Sequence, residues 1–417
     1  MKNWRFWALM ILSVFALGGV AGADSHYEAL AAYQGKVYAL KNEETGSYPS
    51  FVYFPSEIVE FNEDLTVSRS MVLDDGTSAA KNSGFLARYG GKLYIGSTGS
   101  GLPNTEWGAV WEVDIASWTA RQILNVSDTG VDPFAGISGL AIANDGTAFL
   151  LVGGYDDSFN FSATLFITTV AALANGNTGS GMPISSEGGY SWGIAWSEFD
   201  QTLWMMAGSE LQARSKSGGI TEAFNTSQLG NNINTISPLE GRAGLFYTAV
   251  PDDYSSTSAG FITKTGSTYA VQKDLVTNLG GDTAVFAFMD HNGNARLLLR
   301  EYQYGPNDLI SVYDPENFSS PLVNASDWGT NIHSIATLGK YLYLGTYEGY
   351  NPGEPDQLSG EIKRVDLSVY DVPDKPDKPE EPDKPSNSSG GGGCDSGFGV
   401  MAWLLLASAS LIKRRKR

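Results

Sequence analysis

Only three histidines, His26, His291 and His333, occur in the 417 residues. A histidine-rich metal site is therefore excluded, and a Ser-His-Asp triad would have to use one of these three. The chain has no HExxH, no phosphate-cradling GxxxxGK[ST] loop, no dinucleotide glycine fingerprint leading into a helix, and no GxSxG elbow. Gly136-Ile137-Ser138-Gly139 falls short of that elbow because Leu140 stands where glycine is needed. Asp290-His291-Asn292-Gly293-Asn294 through Glu301 imitates a calcium loop, with side-chain oxygens at positions 1, 3 and 5 and a glutamate at 12. Its sixth position is Ala295 instead of glycine, and Arg296 to Arg300 alternates with leucines as a strand would, so a hairpin turn is predicted there. Asp74-Asp75-Gly76 and Tyr155-Asp156-Asp157 read as acidic turns. Such oxygen-rich loops could hold a structural calcium ion weakly; no other cofactor, and no metal-ligating or catalytic residue, is assigned.

With so few reactive groups, any site must be assembled by the fold, and the fold is written as a repeat. An x-[Leu/Ile]-Ala core recurs as Ala29-Leu30-Ala31, Phe85-Leu86-Ala87, Gly139-Leu140-Ala141, Gly193-Ile194-Ala195 and Ser334-Ile335-Ala336, with Phe286-Ala287-Phe288 as a degenerate copy. A second apolar run follows each, near Val37, Leu93, Ala148, Leu203, Leu297 and Leu342, across turns such as Gln34-Gly35 and Gly90-Gly91. Gly and Asn accept the positive φ of tight turns, so each pair is a hairpin signal. One weaker unit sits around Leu245-Phe246-Tyr247. Third strands end in a polar stop, as in Val110 to Asp114, Ile310 to Asp314 and Ile362 to Asp366.

Seven units of roughly 50 residues, each of short strands, predict an all-β chain folded as a seven-bladed β-propeller, because a single small sheet cannot bury both of its faces and must be covered by its neighbours. A two-sheet sandwich or a solenoid is the alternative. In a propeller, a ligand sits where loops entering the innermost strands converge at one mouth of the channel. Registering the units on their alanine puts Glu28, Gly84, Ser138, Trp192, Val285 and His333 at equivalent places, with Tyr27, Ser83, Ser191 and Asn331 close by. Glu28, Ser138, Trp192 and His333 are therefore the candidate ligand-binding residues, a mixture suited to a sugar or a peptide. Trp192 and Trp196 read equally as packing between blades.

Four segments follow from composition. Residues 1–23 have a charged start (Lys2, Arg5), an apolar run and a small-residue end at Ala21-Gly22-Ala23, which is the pattern of a secretory signal peptide. Residues 24–370 form the propeller body, with 17 Lys and Arg against 39 Asp and Glu. That excess repels phosphate backbones and argues against a nucleic-acid partner. The body has no cysteine, so its stability rests on buried apolar strand faces and not on disulfides. Residues 371–389 begin DVPDKPDKPEEPDKP, a Pro-rich stalk with no core to bury. Residues 390–417 combine a glycine run, Cys394-Asp395-Ser396-Gly397-Phe398-Gly399, an apolar helix from Phe398 to Ile412 and a basic end, Lys413 to Arg417. Fifteen residues make a short membrane helix, and the basic end favours the cytoplasmic side.

The run Gly391-Gly392-Gly393-Cys394-Asp395-Ser396-Gly397-Phe398-Gly399, with its helix and basic close, resembles the Synerg-CTERM type of bacterial protein-sorting signal, related to the GlyGly-CTERM substrates of rhombosortase. The resemblance covers only the tail. It implies recognition by an intramembrane sorting protease, processing near Gly393 and Cys394, a possible lipid on Cys394, and residence at the cell envelope or surface. A plain tail anchor is the alternative. The body resembles no specific family. Two functions stay open: an exported, envelope- or surface-anchored propeller that binds, adheres or scaffolds, with a polysaccharide or protein ligand, or an extracytoplasmic lyase or hydrolase in which a Glu28/His333-type pair does acid/base work.

Overall fold

Local turn chemistry dictates the hairpins. At Gln34-Gly35 (φ 48° and 76°) and Gly90-Gly91 (φ 56° and 79°), both central residues lie in the left-handed region, which is what a two-residue turn matching the strand twist requires. In a computed structural model of the chain, residues 24–45, 52–98, 108–131, 135–155, 161–184, 193–251, 256–280, 283–302, 308–329, 331–346 and 360–370 are described. They form seven antiparallel sheets, each built from consecutive strands. Blade 1 spans Asp24–Val72, with an extra two-residue strand at Val52–Tyr53; blade 2 runs from Ser83 to Asn125, blade 3 from Ala135 to Ile184, and blade 4 from Ile194 to Asn225. Blade 5 runs from Asn232 to Leu279, blade 6 from Thr283 to Ala325, and blade 7 from Ile332 to Asp366, with three strands among the described residues. The first strand of every blade packs against the first strands of both neighbours, including blade 7 against blade 1, so the first strands line the axis of a closed ring. The fold is a seven-bladed β-propeller. Its described helices are single turns of four residues.

The weak unit is blade 5. Its first strand, Asn232–Pro238, carries the repeat as Thr235-Ile236-Ser237, with serine where the other copies have alanine, and its second strand is Gly244–Val250. The degenerate copy in blade 6 is two residues out of step, because its first strand has no bulge. Val285 pairs with Leu299 in an unbroken ladder, the place that Leu30 and Ile335 take opposite Ala39 and Leu344, and is buried in the core, so it does not share the place of Glu28. The imitation calcium loop is a hairpin turn. Asp290 Oδ1 accepts the N–H groups of Asn292 (2.9 Å) and Asn294 (2.8 Å) and its Oδ2 meets Arg296 at 2.7 Å. Glu301 is at the far end of the following strand, where it accepts the Gly280 N–H at 2.7 Å.

Each seam between blades has its own apolar cluster, as flat twisted sheets stacked radially demand. Between blades 1 and 2, for example, Tyr38, Leu40 and Ile58 meet Leu93, Ile95 and Trp111. Among the described residues, the seam that closes the ring holds five buried apolar residues, Val37, Ala39, Val59, Phe61 and Tyr343, against nine to fourteen at the other six. Among the described residues no strand is shared across it. Polar contacts supplement it: Tyr343 Oη and Arg364 Nη1 both donate to the Glu63 carbonyl at 2.8 Å, and the Gly360 N–H donates to the Ser25 carbonyl at 2.6 Å.

Blades 1 and 2 repeat a charged rung across their second, third and fourth strands. Tyr38, Glu60 and Arg69 are direct register partners, as are Tyr94, Glu112 and Arg121. Arg69 holds Glu60 Oε2 at 2.6 Å, while Glu112 Oε1 takes both Lys92 (2.8 Å) and Arg121 (3.0 Å). Burial alone would raise both carboxyls, but the hydrogen bonds from these cations hold them below the ordinary range. Burial and the neighbouring Glu60 push the Tyr38 hydroxyl up to about 12.

Among the described residues no helix is long and apolar enough to cross a membrane. The segments 1–23 and 398–412, like Gly393, Cys394 and Trp192, lie outside the described residues.

Candidate functional site

The inner strands are interrupted at one repeated place. The register shifts between Tyr27 and Ala29, Ser83 and Phe85, Ile137 and Gly139, Ile233 and Thr235, and Ile332 and Ser334. The residues left out of the ladder are Glu28, Gly84, Ser138, Asn234 and His333. A bulge takes one residue out of the pairing and re-aims its side chain, which is how a strand lining an axis can present a functional group. Four of these five were expected from the register of the repeat. Asn234 was hidden because the serine at 237 masks the unit it belongs to.

The bulge residues are put to different uses. Ser138 Oγ donates to the Leu151 carbonyl at 3.2 Å within blade 3, and the Ser138 carbonyl accepts the Gly193 N–H of blade 4 at 3.0 Å. Asn234 Nδ2 donates to the Thr283 carbonyl at 2.9 Å, tying blade 5 to blade 6. Those two are stitches. Trp196 stacks on Phe149 of blade 3 with ring centroids 4.9 Å apart, so it is packing between blades. Tyr27 meets Phe61 edge-on at 6.3 Å in the closing seam, and Ser83 is buried against Asn42 and Ser56.

Glu28 and His333 do converge. Glu28 Oε1 lies 3.2 Å from His26 Nε2 on its own strand, and Oε2 lies 3.6 Å from His333 Nδ1 across the closing seam. His333 Nε2 is 3.1 Å from Asn331 Oδ1, which also accepts from Arg300 Nη1 of blade 6 at 3.3 Å. An arginine can only donate, so the Asn331 atom it faces is the oxygen, and both ring nitrogens of His333 therefore face acceptors. A polar chain thus runs Arg300, Asn331, His333, Glu28, His26 through blades 6, 7 and 1. His26 and Arg300 are buried, while the Glu28 and His333 side chains keep 21% and 35% of their exposure. Burial alone would raise the Glu28 carboxyl, but the hydrogen bonds and charges of His26 and His333 outweigh it and bring it down to about 2. Glu28 is therefore a fixed negative charge, with too little basicity to take up a proton near neutrality.

Sequence reasoning missed His26 and Arg300. For His26 a signal existed: two residues apart on a strand, His26 and Glu28 share a face. Arg300 carried none, because a second strand gives no sign of which neighbouring blade its side chain reaches.

Away from the axis, between the outer strands of blades 3 and 4, a shallow groove of about 520 Å³ is lined by Thr147, Ile167, Thr168, Thr169, Ala172, Lys216 and Ser217. Its polar groups are already committed. Thr147 bonds Asp145, Thr168 donates to the Asn177 carbonyl, Thr169 caps the turn at Ala172, and Lys216 pairs with Asp145. Among the described residues, no three His, Cys, Asp or Glu side chains are grouped so as to hold a metal ion.

No family profile matches the chain, and no curated protein matches it. Solved structures do. Hydrazine synthase of Kuenenia stuttgartiensis is 13% identical, with a TM-score of 0.53 over 84% of this chain and 99% of that one. The β-propeller domain of the Trilobed protease from Pyrococcus furiosus, described as having an open velcro topology, is 11% identical with a TM-score of 0.47, over 84% of this chain and all of that one. The Hadza microbial sialidase Hz136 is 10% identical with a TM-score of 0.46, over 83% and 66%. At such identities the likeness is one of fold.

Proposed function

We propose that the chain is an exported propeller, held at the cell envelope through its C-terminal tail, that binds a polysaccharide or peptide at the mouth carrying Glu28 and His333 without transforming it. One observation carries the binding half. Both Glu28 oxygens are engaged by imidazoles and both His333 nitrogens face acceptors, so the groups that proton transfer would use are already committed. A pre-ordered, partly exposed polar cluster of this kind suits recognition of hydroxyls and amides. The acidic body favours a neutral or basic ligand. Export and anchoring rest on the sequence, namely the signal-like residues 1–23 and the tail around Gly393 and Cys394 with its sorting protease.

A second reading, an extracytoplasmic lyase or hydrolase, draws on the Glu28 to His333 contact itself, since a carboxylate that orients an imidazole is half of an acid/base device. One experiment separates the two. Purified protein is screened against cell-envelope polysaccharides and peptides by calorimetry, and the ligand is recovered and analysed. Saturable binding that is lost in Glu28→Gln and His333→Ala, with the ligand recovered intact, supports the binding reading. Chemical conversion of the ligand would establish the enzyme instead, and undiminished binding by both variants would remove the mouth as the site.

A further inference from the structure

We propose that the outer edge of blade 7 receives an extended strand of another protein that carries a carboxylate opposite Arg364, at a surface separate from the mouth. In blades 1, 4 and 6, four of the five residues of the third strand are buried. The third strand of blade 7 is Ile362–Asp366, and none of its five residues is buried. Among the described residues nothing pairs with its outer side. The backbone there is set to pair. The Thr346 N–H donates to the Glu361 carbonyl at 3.0 Å, and the Leu367 N–H to the Lys340 carbonyl at 2.9 Å. Alternate residues of a ladder turn their backbone groups to opposite sides, so the N–H and C=O groups of Ile362 and Arg364 point outward. A row of this kind is what a strand added to a sheet edge uses.

The side chains set the chemistry of the partner. In blades 1 and 2 a rung of tyrosine, glutamate and arginine crosses the second, third and fourth strands. Tyr343 takes the tyrosine place in blade 7, and its register partner on the third strand is Arg364. The third-strand charge is thus inverted, and its complement on a fourth strand is a carboxylate. The two lysines nearby are offset within the blade, Lys363 by Glu361 at 3.2 Å and Lys340 by Asp366 at 2.6 Å. Arg364 donates to the Glu63 carbonyl and lies 4.4 Å over the Tyr341 ring, and a guanidinium has more N–H groups than those contacts use. The nearby Asp64 accepts from Thr66 at 2.6 Å. A second copy of this chain is a poor occupant, because full antiparallel overlap of the two edges sets Arg364 against Arg364.

Two synthetic peptides serve as probes: one with the sequence Thr119–Asn125, the fourth strand of blade 2, and the same peptide with Arg121→Glu. Binding to the purified protein is read by fluorescence anisotropy, and backbone protection by hydrogen exchange over residues 361–367. The Arg121→Glu peptide should bind with a dissociation constant below about 1 mM and slow exchange at Ile362 and Arg364. It should bind at least about fivefold more tightly than the unaltered peptide, and the preference should reverse in Arg364→Glu. The proposal is overturned by absence of saturable binding, or by a preference that ignores the charge at 364. It is also overturned if exchange is already slow before peptide is added, the mark of an edge covered by the chain itself or by a second copy. Should Arg364→Glu fail to fold, the choice of the unaltered protein between the two peptides decides the question.

Discussion

Replacing Glu28 with glutamine keeps the shape and hydrogen-bonding reach of the side chain but removes the charge that His26 and His333 surround. The carboxyl lies at about 2 in the folded chain against an ordinary 4.5. The gap corresponds to about 3 kcal/mol of stabilisation, since each unit is worth about 1.4 kcal/mol. Because the folded value is the depressed one, the unfolded chain takes up the proton first as pH falls. The contribution is complete above 4.5 and is lost as pH drops from 4.5 through about 2. Linkage gives the expected profile: Glu28→Gln is less stable than the unaltered protein by about 3 kcal/mol at pH 6 and by only about 1.4 kcal/mol at pH 3. With an unfolding entropy of about 2.1 cal/mol/K per residue over a body of roughly 350 residues, the deficit at pH 6 is about 4 °C in melting midpoint. Urea titrations at both pH values, with calorimetry at pH 6, measure it. Midpoints within a degree of each other at pH 6, or a deficit that does not shrink toward pH 3, would refute the reasoning.

Arg69→Ala leaves the buried Glu60 without its cation and should cost about 2 kcal/mol by urea denaturation, discounted for the one-third exposure of Arg69. Arg121→Ala should cost less than about 1 kcal/mol, because Lys92 still holds Glu112. Removing Asp24 to Leu40 takes away the inner strand that meets blade 7, so calorimetry should register loss of the whole cooperative transition; a midpoint changed by a degree or less would contradict ring closure. Cys394→Ala should leave export intact and block maturation or anchoring. Mass spectrometry of the envelope fraction reads this, and Lys413 to Arg417 retained beside an unmodified Cys394 in the unaltered protein would favour the plain tail anchor.

The blades were legible because their determinants are local. An apolar run, a turn residue that accepts positive φ and a second apolar run are contiguous in the chain, so the strands at Phe85, Leu93 and Val110 could be read without knowing what covers them. Where the local signal was diluted, reading failed. Ser237 in place of alanine hid the first strand of blade 5, and the phenylalanines flanking Ala287 drew the register of blade 6 two residues out of step. Glu28 and His333 were found together because the repeat puts both at the bulge. The rest of their surroundings depends on ring closure, which brings residues some 300 positions apart into contact, and no pattern along the chain encodes which side chain of blade 6 reaches Asn331.

The closing seam also has a consequence in time. Blade 1 is made first and its true neighbour last; the Tyr343 to Glu63 bond links residues 280 positions apart. Through synthesis and folding, the outer face of blade 1 must wait uncovered, and an uncovered apolar sheet face is what incomplete chains aggregate through. Among the described residues the waiting face belongs to the smallest buried apolar cluster of the seven, completed by hydrogen bonds and a fixed carboxylate. Directional polar contacts have little to offer a stray partner and mature only when blade 7 arrives in register. The scarcity of apolar surface at that joint thus lowers the risk of misassembly while the ring is still an arc.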